Sequence, residues 1–351
     1  MNARENTLRA IRFEKPDNIP MVFHINASCW THYPAGTLFD LMEEYTRLFP
    51  LFQRPKNVKP EITYGLCQKK NEPYLDPWLC EWKTTEDGIT GSVHVHPLAK
   101  WDNFNNYTAP DPEKTNGITP VDWGQFYIEM ESKRSKGELL VAGLPHGHTF
   151  LRLQDIRGYE NVLYDMMDER PELDTLLGMV SDFNYSLVQK ILKGKPDIMS
   201  YPEDLGMQAG PMITPDAFKK YIKSVYTRLM KPAKNIGTIV HMHSDGDIRT
   251  LAKDMIEGGI DVLNLQDLVN GIEWIRDNFR GKLCIDLDID RQSITRFGTP
   301  EEIDQHIHNC IKQIGTKDGG LLLIYGLYPG VPVENIRALM QAMEKYMDFF
   351  N

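Results

Sequence analysis

The chain has 351 residues, of which 41% are hydrophobic, and a formal net charge of -10 at pH 7. This size and apolar content suit a soluble globular protein, and they allow one α/β barrel with insertions. The charge argues against a general nucleic-acid binder because phosphates would be repelled, and no uncharged apolar run approaches membrane-spanning length.

The N-terminus and the cysteines predict a cytoplasmic protein. Residues 1–6 lack the apolar core of a signal peptide. The five cysteines include no Cys-x-x-Cys pair, and their odd number argues against a full disulfide framework. Thiols without an export signal are typical of the cytoplasm.

The first strand is predicted over residues 19–26, after Pro16 and before a helical pattern at 38–52. Its carboxyl end carries His24 and Asn26 on one face, because side chains alternate along a strand. Trp30 follows shortly afterwards. These three side chains are candidates for binding a substrate.

The next part of the chain predicts an insertion rather than a further strand–helix unit. A strand is expected around residues 61–65. The following segment, about 70–115, has an Asp-Gly turn and an alternating run at 92–96, which together are typical of a β-hairpin. Its tryptophans are expected mainly to supply packing area.

From residue 121 onwards, apolar runs alternate with helical patterns. The predicted strands lie at 139–148, 197–206, 237–246, 261–266, 282–290 and 319–325, and the predicted helices at 158–195, 247–258, 271–279, 301–314 and 333–349. About eight strands in alternation with helices favour a parallel, closed barrel. The sequence therefore predicts a (β/α)8 TIM barrel with a β-hairpin insertion, in a single domain over residues 1–351.

Polar side chains collect at the carboxyl ends of these strands. In a barrel these ends all meet at one mouth, where chemistry is placed. The side chains concerned are His24, Asn26, His146, His148, Glu203, Asp204, His241, His243, Asp245, Gln266, Asp286, Asp288 and Tyr325. Such a set suits a divalent metal with one open position, or acid–base catalysis without a metal.

Several motifs resemble those of the uroporphyrinogen decarboxylase superfamily. The resemblance is convincing over about residues 120–350. It is carried by Glu-Asp-Leu-Gly-Met-Gln at 203–208, Ile-Thr-Pro-Asp-Ala-Phe at 213–218, His-Met-His-Ser-Asp-Gly at 241–246, Gly-Ile-Asp-Val-Leu-Asn at 259–264, Ile-Asp-Arg-Gln-Ser-Ile at 289–294, Gly-Thr-Pro-Glu-Glu at 298–302 and Pro-Gly-Val-Pro-Val-Glu-Asn-Ile at 329–336. This superfamily resemblance also implies a (β/α)8 barrel.

The superfamily resemblance implies one of two activities. Members decarboxylate uroporphyrinogen without a cofactor, or transfer methyl groups to or from a corrinoid protein with the help of zinc. Decarboxylases carry an early arginine-rich segment that grips the substrate carboxylates, whereas residues 23–30 here contain no arginine. Methyltransferases that load coenzyme M bind zinc through His-x-Cys and a later Cys, whereas this chain has His243 and Tyr325 at the cysteine positions.

These departures favour a methyltransferase of the O-demethylating kind. We expect it to pass a methyl group from a small methoxylated or methylated donor to cobalamin held by a corrinoid-binding partner. Zinc or another divalent metal would be held by His241 and His243 with Glu203, or with Asp288 in its place. The expected catalytic residues are Tyr325, His148 and Asp288, and the expected substrate-binding residues are His24, Asn26, Trp30, His146, Glu203 and Gln266.

Two alternatives remain open at the level of sequence. One is a metal-independent decarboxylase of a small or tetrapyrrole carboxylic acid, which would use Asp and Tyr side chains. The other is a non-catalytic barrel that binds a small ligand or a corrinoid domain, although pure binders rarely need so many titratable groups. A homodimer is a further expectation.

Overall fold

The computed structural model describes residues 1–56 and 62–351. Within it the chain divides into two compact units. Unit 1 comprises Met1–Lys70, Thr84–Thr90 and Leu265–Asn351, and unit 2 comprises Asn71–Lys83 and Gly91–Asn264. The expectation of one domain over residues 1–351 stays a prediction.

The described residues contain regular strands and helices from one end to the other. The strands are β1 (Met21–Ile25), β2 (Tyr74–Leu75), β3 (Glu81–Lys83), β4 (Ser92–Val95), β5 (Val141–Gly143), β6 (Ile198–Pro202), β7 (Gly206–Met207), β8 (Gly210–Pro211), β9 (Ile239–Ser244), β10 (Val262–Gln266), β11 (Cys284–Asp288) and β12 (Leu321–Leu327). The helices are α1 (Ala3–Arg12), α2 (Cys29–His32), α3 (Ala35–Glu44), α4 (Trp123–Ser135), α5 (Phe150–Arg157), α6 (Tyr159–Met167), α7 (Pro171–Lys193), α8 (Pro215–Ala217), α9 (Lys223–Asn235), α10 (Ala252–Glu257), α11 (Asp267–Asn270), α12 (Ile272–Phe279), α13 (Ile294–Phe297), α14 (Pro300–Ile314) and α15 (Val333–Tyr346).

Parallel strand pairs form within each unit. In unit 1, β12 pairs in parallel with β1 and with β11, and Phe23 lies opposite Tyr325. In unit 2, β6 pairs in parallel with β5 and with β9. Parallel strands that alternate with helices form a TIM-barrel-like α/β fold, which confirms the predicted fold class.

Apart from the insertion (β2–β4) and the short pair of β7 and β8, the described residues form seven strands, whereas the sequence predicted about eight. The missing strand was expected around 61–65, of which residue 61 lies outside the described residues and 62–65 form no strand. Gly65 begins a tight 3-10 turn instead, and its N–H donates to Gln68 Oε1 at 3.1 Å.

The predicted hairpin insertion is a three-stranded antiparallel sheet of order β2-β3-β4. Asp76 holds it in place, because its buried carboxylate accepts hydrogen bonds from Cys80 N, Trp82 Nε1 and Arg152 Nη1 at 2.8–2.9 Å. Arg152 belongs to α5, so one buried ion pair fixes the insertion to a helix of the same unit. A buried carboxylate needs such partners to offset its lost hydration.

The helix ends follow local signals, with two corrections. Thr299 and Glu302 form the reciprocal cap that begins α14, as the sequence indicates. The helix predicted over 38–52 ends already at Glu44, and the one predicted over 247–258 begins only at Ala252. In the second case the Asp247 carboxylate binds the backbone N–H of Arg249, which keeps this segment in a turn.

The apolar core of each unit lies between strands and helices. In unit 1, α14 and α15 bury Ile307 and Leu339 together with Leu323 of β12. In unit 2, α7 and α9 bury Leu187 and Leu229. None of the described helices combines the length and the apolarity that a membrane crossing requires.

Candidate metal centre

Three neighbouring strands of unit 2 bring a carboxylate and two imidazoles together. His146 follows β5, Asp204 follows β6, and His243 lies near the end of β9. The loop after β5 is held to β6 by a hydrogen bond from Gly147 N to Pro202 O at 3.0 Å, and Glu203 N donates to His243 O at 3.0 Å. Since the strands are parallel, their carboxyl ends lie at the same edge of the sheet.

The spacing of the three donor groups matches that of metal ligands. Asp204 Oδ1 lies 3.3 Å from His146 Nε2 and 3.4 Å from His243 Nε2, and one donor atom from each residue falls within 4.8 Å of the others. Tetrahedral zinc with ordinary Zn–N and Zn–O bonds holds such atoms about 3.4 Å apart. The set therefore fits zinc with three protein ligands and one open position, and the 51% exposed His146 side chain lies on the accessible side.

The electrostatics of the cluster favour a cation. Burial opposes the charge on Asp204, but the hydrogen bonds and charges of His146 and His243 outweigh it and lower the pKa of this carboxyl far below its usual range. Burial likewise opposes charge on His243, but Asp204 and Asp245 outweigh it and raise its pKa to about 9. A divalent cation would replace the proton that His243 Nε2 shares with Asp204.

Asn264 orients the second imidazole. It lies in β10, and its Oδ1 accepts a hydrogen bond from His243 Nδ1. With Nδ1 engaged in this way, Nε2 is the nitrogen that faces Asp204. Such an outer partner is what metal-binding histidines commonly have.

Two glycines fix the loops that carry the acidic groups. Gly206 N donates to Asp245 O at 3.1 Å, and Asp247 N donates to Met207 O at 2.8 Å. A Cβ on either Gly206 or Gly246 would overlap the backbone of the opposite loop, and Gly246 also has a φ of 79°. The loops after β6 and β9 thus form one rigid support, on which Asp245 N donates to Asp204 Oδ1 at 3.1 Å.

Glu203, predicted as a metal ligand and substrate contact, accepts three hydrogen bonds within unit 2, and its predicted role stays a prediction. It is fully buried, and its Oε1 accepts from Thr149 N and Leu151 N, both at 2.9 Å, at the start of α5. Its Oε2 accepts from the Tyr226 hydroxyl. Burial raises the pKa of this carboxyl, against the effect of these hydrogen bonds. Glu203 is not part of the donor cluster, whose carboxylate comes from Asp204.

Among the histidines predicted as site residues in unit 2, His241, His243 and His148 differ in position and burial. His241 and His243 share a face of β9, because Val240, Met242 and Ser244 form the buried opposite face. His241 lies two residues back, about 6.6 Å along the strand, and is not in the donor cluster. His148 is buried beside Thr149, whose Oγ1 lies 2.7 Å from its Nδ1, and burial lowers its pKa to about 3.

In unit 1, the predicted catalytic residues Tyr325 and Asp288 have local partners. Tyr325 is fully buried, its hydroxyl donates to Thr295 Oγ1 at 3.0 Å, and burial raises its pKa. Asp288 ends β11 and pairs with Arg291 at 2.9 Å. Tyr325 lies opposite Phe23 in the β1–β12 register, so it points to the other face from His24.

The predicted substrate contacts of unit 1 lie at or after strand ends. Asn26 Oδ1 accepts hydrogen bonds from Ser28 N and Oγ at 2.9 and 2.7 Å, which begins the turn into α2. Trp30 stacks against Phe39 at a centroid distance of 5.3 Å, and Gln266 precedes α11. The roles expected for these residues and for His24, Asp288 and Tyr325 stay predictions.

Asp204 is a candidate ligand that the sequence analysis named at a strand end but did not choose as a ligand, although the signal was present. Met199 and Tyr201 of β6 and Glu203 just after it are fully buried, whereas Asp204 belongs to the alternate face. Because side chains alternate along a strand, Glu203 shares the buried face of Met199 and Tyr201, and Asp204 lies on the other face. His146 was expected to contact substrate, and the structure places it among the donors.

Comparisons with known proteins identify a family and a fold. A family model described as Uroporphyrinogen decarboxylase (URO-D) matches residues 86–346. A methyltransferase from Methanosarcina mazei is similar in structure, with a TM-score of 0.68 and 14% identity over 99% of each chain. The catalytic core of xylanase A has a TM-score of only 0.39 at 8% identity, over 70% of this chain and 92% of that one. No curated protein matches by sequence.

Proposed function

Since the chain belongs to the uroporphyrinogen decarboxylase family, we propose that it carries out the second activity noted for that group, methyl transfer. It would take a methyl group from a small methoxylated or methylated compound and pass it to a corrinoid-binding protein. The observation that carries the proposal is the cluster of His146, Asp204 and His243, whose donor atoms have the spacing of a three-ligand zinc site. A cofactor-free decarboxylase has no need of such a cluster.

The ligand types in the cluster also indicate which class of methyl donor would be used. Two imidazoles and one carboxylate form a nitrogen and oxygen site without thiolate, which is harder than the sites that hold and activate a thiol. Such a site would suit a methyl donor whose methyl group is carried by an ether oxygen or an amine nitrogen. When bound, zinc would act as a Lewis acid that polarises this methyl-bearing heteroatom.

The residues of unit 2 then have distinct tasks. His146, Asp204 and His243 hold the cation, and Asn264 keeps His243 Nε2 directed at it. Asp245 Oδ1 lies 3.7 Å from His243 Nε2, close enough to influence the charge of the site. Glu203 fixes the start of α5 and thereby the loop that carries His146.

Methyl transfer to free cob(I)alamin tests the proposal directly. We expect the zinc-loaded protein to methylate cob(I)alamin with at least one member of a panel of methoxyarenes and methylamines. Chelation should abolish the reaction, and added zinc should restore it. His243→Ala should bind no metal at this site and show no transfer.

The alternative activity has its own readout in the same preparation. Carbon dioxide release from a carboxylic acid substrate by chelator-treated protein, at the rate of untreated protein, would contradict the proposal. So would methyl transfer by His243→Ala at the wild-type rate. Asp182→Asn, in which an exposed surface carboxylate of unit 2 is altered, is the matched control and should behave as wild type.

A further inference from the structure

A second cluster of metal-ligand side chains lies in unit 1. Asp267 begins α11, and His306 and Cys310 lie four residues apart on α14. His306 Nε2 is 2.6 Å from Asp267 Oδ2 and 3.6 Å from Cys310 Sγ. Residues at this spacing share one face of a helix, so α14 presents both side chains to the same carboxylate.

The cluster is closed to solvent. Asp267 and Cys310 are fully buried, and the His306 side chain is 10% exposed. A carboxylate in such a place needs a cationic partner to offset its lost hydration. In the metal-free protein the group next to this carboxylate is the His306 imidazole, with Nε2 2.6 Å from Asp267 Oδ2.

The arrangement does not suit nucleophilic catalysis. In a thiol–imidazole–carboxylate triad the thiol and the carboxylate contact different ring nitrogens, so that a proton is moved on one side and the ring is held on the other. Here both groups face the same nitrogen, Nε2. Convergence of three donors on one point is instead the pattern of a metal site.

The distances support this interpretation. Tetrahedral zinc with ordinary Zn–S and Zn–N bonds holds the sulfur and the nitrogen about 3.5 Å apart, and Cys310 Sγ and His306 Nε2 are 3.6 Å apart. The Asp267 oxygen at 2.6 Å would move outward by about 0.8 Å when a cation replaces the hydrogen-bonding proton.

We propose that Asp267, His306 and Cys310 form a second metal site, structural rather than catalytic, for zinc or a similar thiolate-binding divalent cation. Metal binding would release the Cys310 proton and tie α14 to the segment that follows β10. The closed surroundings leave no room for substrate chemistry. This site shares no residue with the proposed methyl-transfer centre, and either could exist without the other.

Cobalt substitution distinguishes the two sites, because only one of them contains sulfur. We expect chelator-treated full-length protein to take up two equivalents of Co²⁺ and to develop a sulfur-to-cobalt charge-transfer band in the near ultraviolet. His243→Ala should lose one equivalent and keep the band. Cys310→Ser should lose the other equivalent together with the band.

Cys284→Ser is the matched control, since Cys284 is also buried in unit 1 and lies outside the cluster. This variant should keep both equivalents and the band. His306→Gln is a second test variant, should Cys310→Ser fail to fold, and it too should lose the band. No band in the wild-type protein, or a band that persists in folded Cys310→Ser or His306→Gln, would overturn the proposal and leave the cluster as an ion pair.

Discussion

Glu203 and Asp204 are consecutive carboxylates in opposite surroundings. Glu203 accepts the backbone N–H groups at the start of α5 and the Tyr226 hydroxyl, which makes it a helix anchor. Asp204 faces His146 and His243. At the scale of single residues, this division decides which carboxylate can hold a cation.

Replacement of each carboxylate by its amide separates the two roles. We expect Asp204→Asn to bind no metal at the cluster of His146, Asp204 and His243 and to lose little stability. Glu203→Gln should keep the metal and lose about 1–3 kcal/mol of unfolding free energy, because an amide cannot replace a buried carboxylate acceptor on all sides. Metal titration and urea unfolding measure both effects. Retained metal in Asp204→Asn would contradict this assignment.

Asn264 should tune metal affinity without binding the metal. Asn264→Ala removes the acceptor of His243 Nδ1–H, so the imidazole loses its fixed direction. Loss of such an outer partner typically weakens metal binding by about 10–100-fold. Competition with a zinc chelator measures this change. Asn270→Ala, outside both clusters, serves as control, and equal affinities would refute the role of Asn264.

His148 should make stability depend on pH. Its pKa is about 6.5 when unfolded, and burial lowers it to about 3 in the folded protein. Between these values the unfolded chain binds a proton that the folded chain excludes. Stability should therefore fall with decreasing pH, by about 1.4 kcal/mol per pH unit from this group. In His148→Gln this contribution should be absent when urea unfolding is compared at pH 7 and pH 5. An unchanged slope would contradict it.

At the scale of elements, the loops after β6 and β9 act as one support for the donor set. Backbone atoms of Gly206 and Gly246 approach so closely that neither position accommodates a side chain. The same contact places Asp204 beside the N–H of Asp245. The geometry of the site thus depends on residues that carry no chemistry.

Gly246→Ala should therefore weaken metal binding at the cluster, although Gly246 is not a candidate ligand. We expect a loss of at least about 1–3 kcal/mol, because φ is positive and the new Cβ overlaps backbone, together with weaker metal binding. Gly178→Ala in α7 is the matched control, since a Cβ there meets open space. It should stabilise the helix by about 0.5–1 kcal/mol. Equal effects of the two substitutions on metal affinity would count against a positioning role.

At the scale of the whole molecule, bound metal should increase the free energy of unfolding. A ligand at one hundred times its dissociation constant stabilises the folded state by about 2.7 kcal/mol per site. We expect urea unfolding of the full chain to shift accordingly between chelator and saturating zinc. In His243→Ala this shift should be smaller, by the contribution of the site formed by His146, Asp204 and His243. A shift equal to that of the wild type would refute zinc binding at that site.

The regular elements follow from local patterns that the sequence carries by itself. Alternating apolar runs and helical patterns predicted the strand–helix order, and the runs ending near His146, Asp204 and His243 predicted where polar groups gather. Such signals depend on neighbours in the chain, so they are readable without coordinates. Of the strand expected around 61–65, the described residues 62–65 form none, and a 3-10 turn begins at Gly65.

Only the tertiary structure shows which of these polar groups lie close enough together to hold a cation. The sequence alone predicted metal binding by His241, His243 and Glu203, whereas the register of β5, β6 and β9 brings His146 and Asp204 to His243. The pair Asp267 and His306 is equally invisible in the chain, where the two residues are 39 positions apart. Ligand geometry depends on distances between separate strands and helices, and those distances are set by packing rather than by any local pattern.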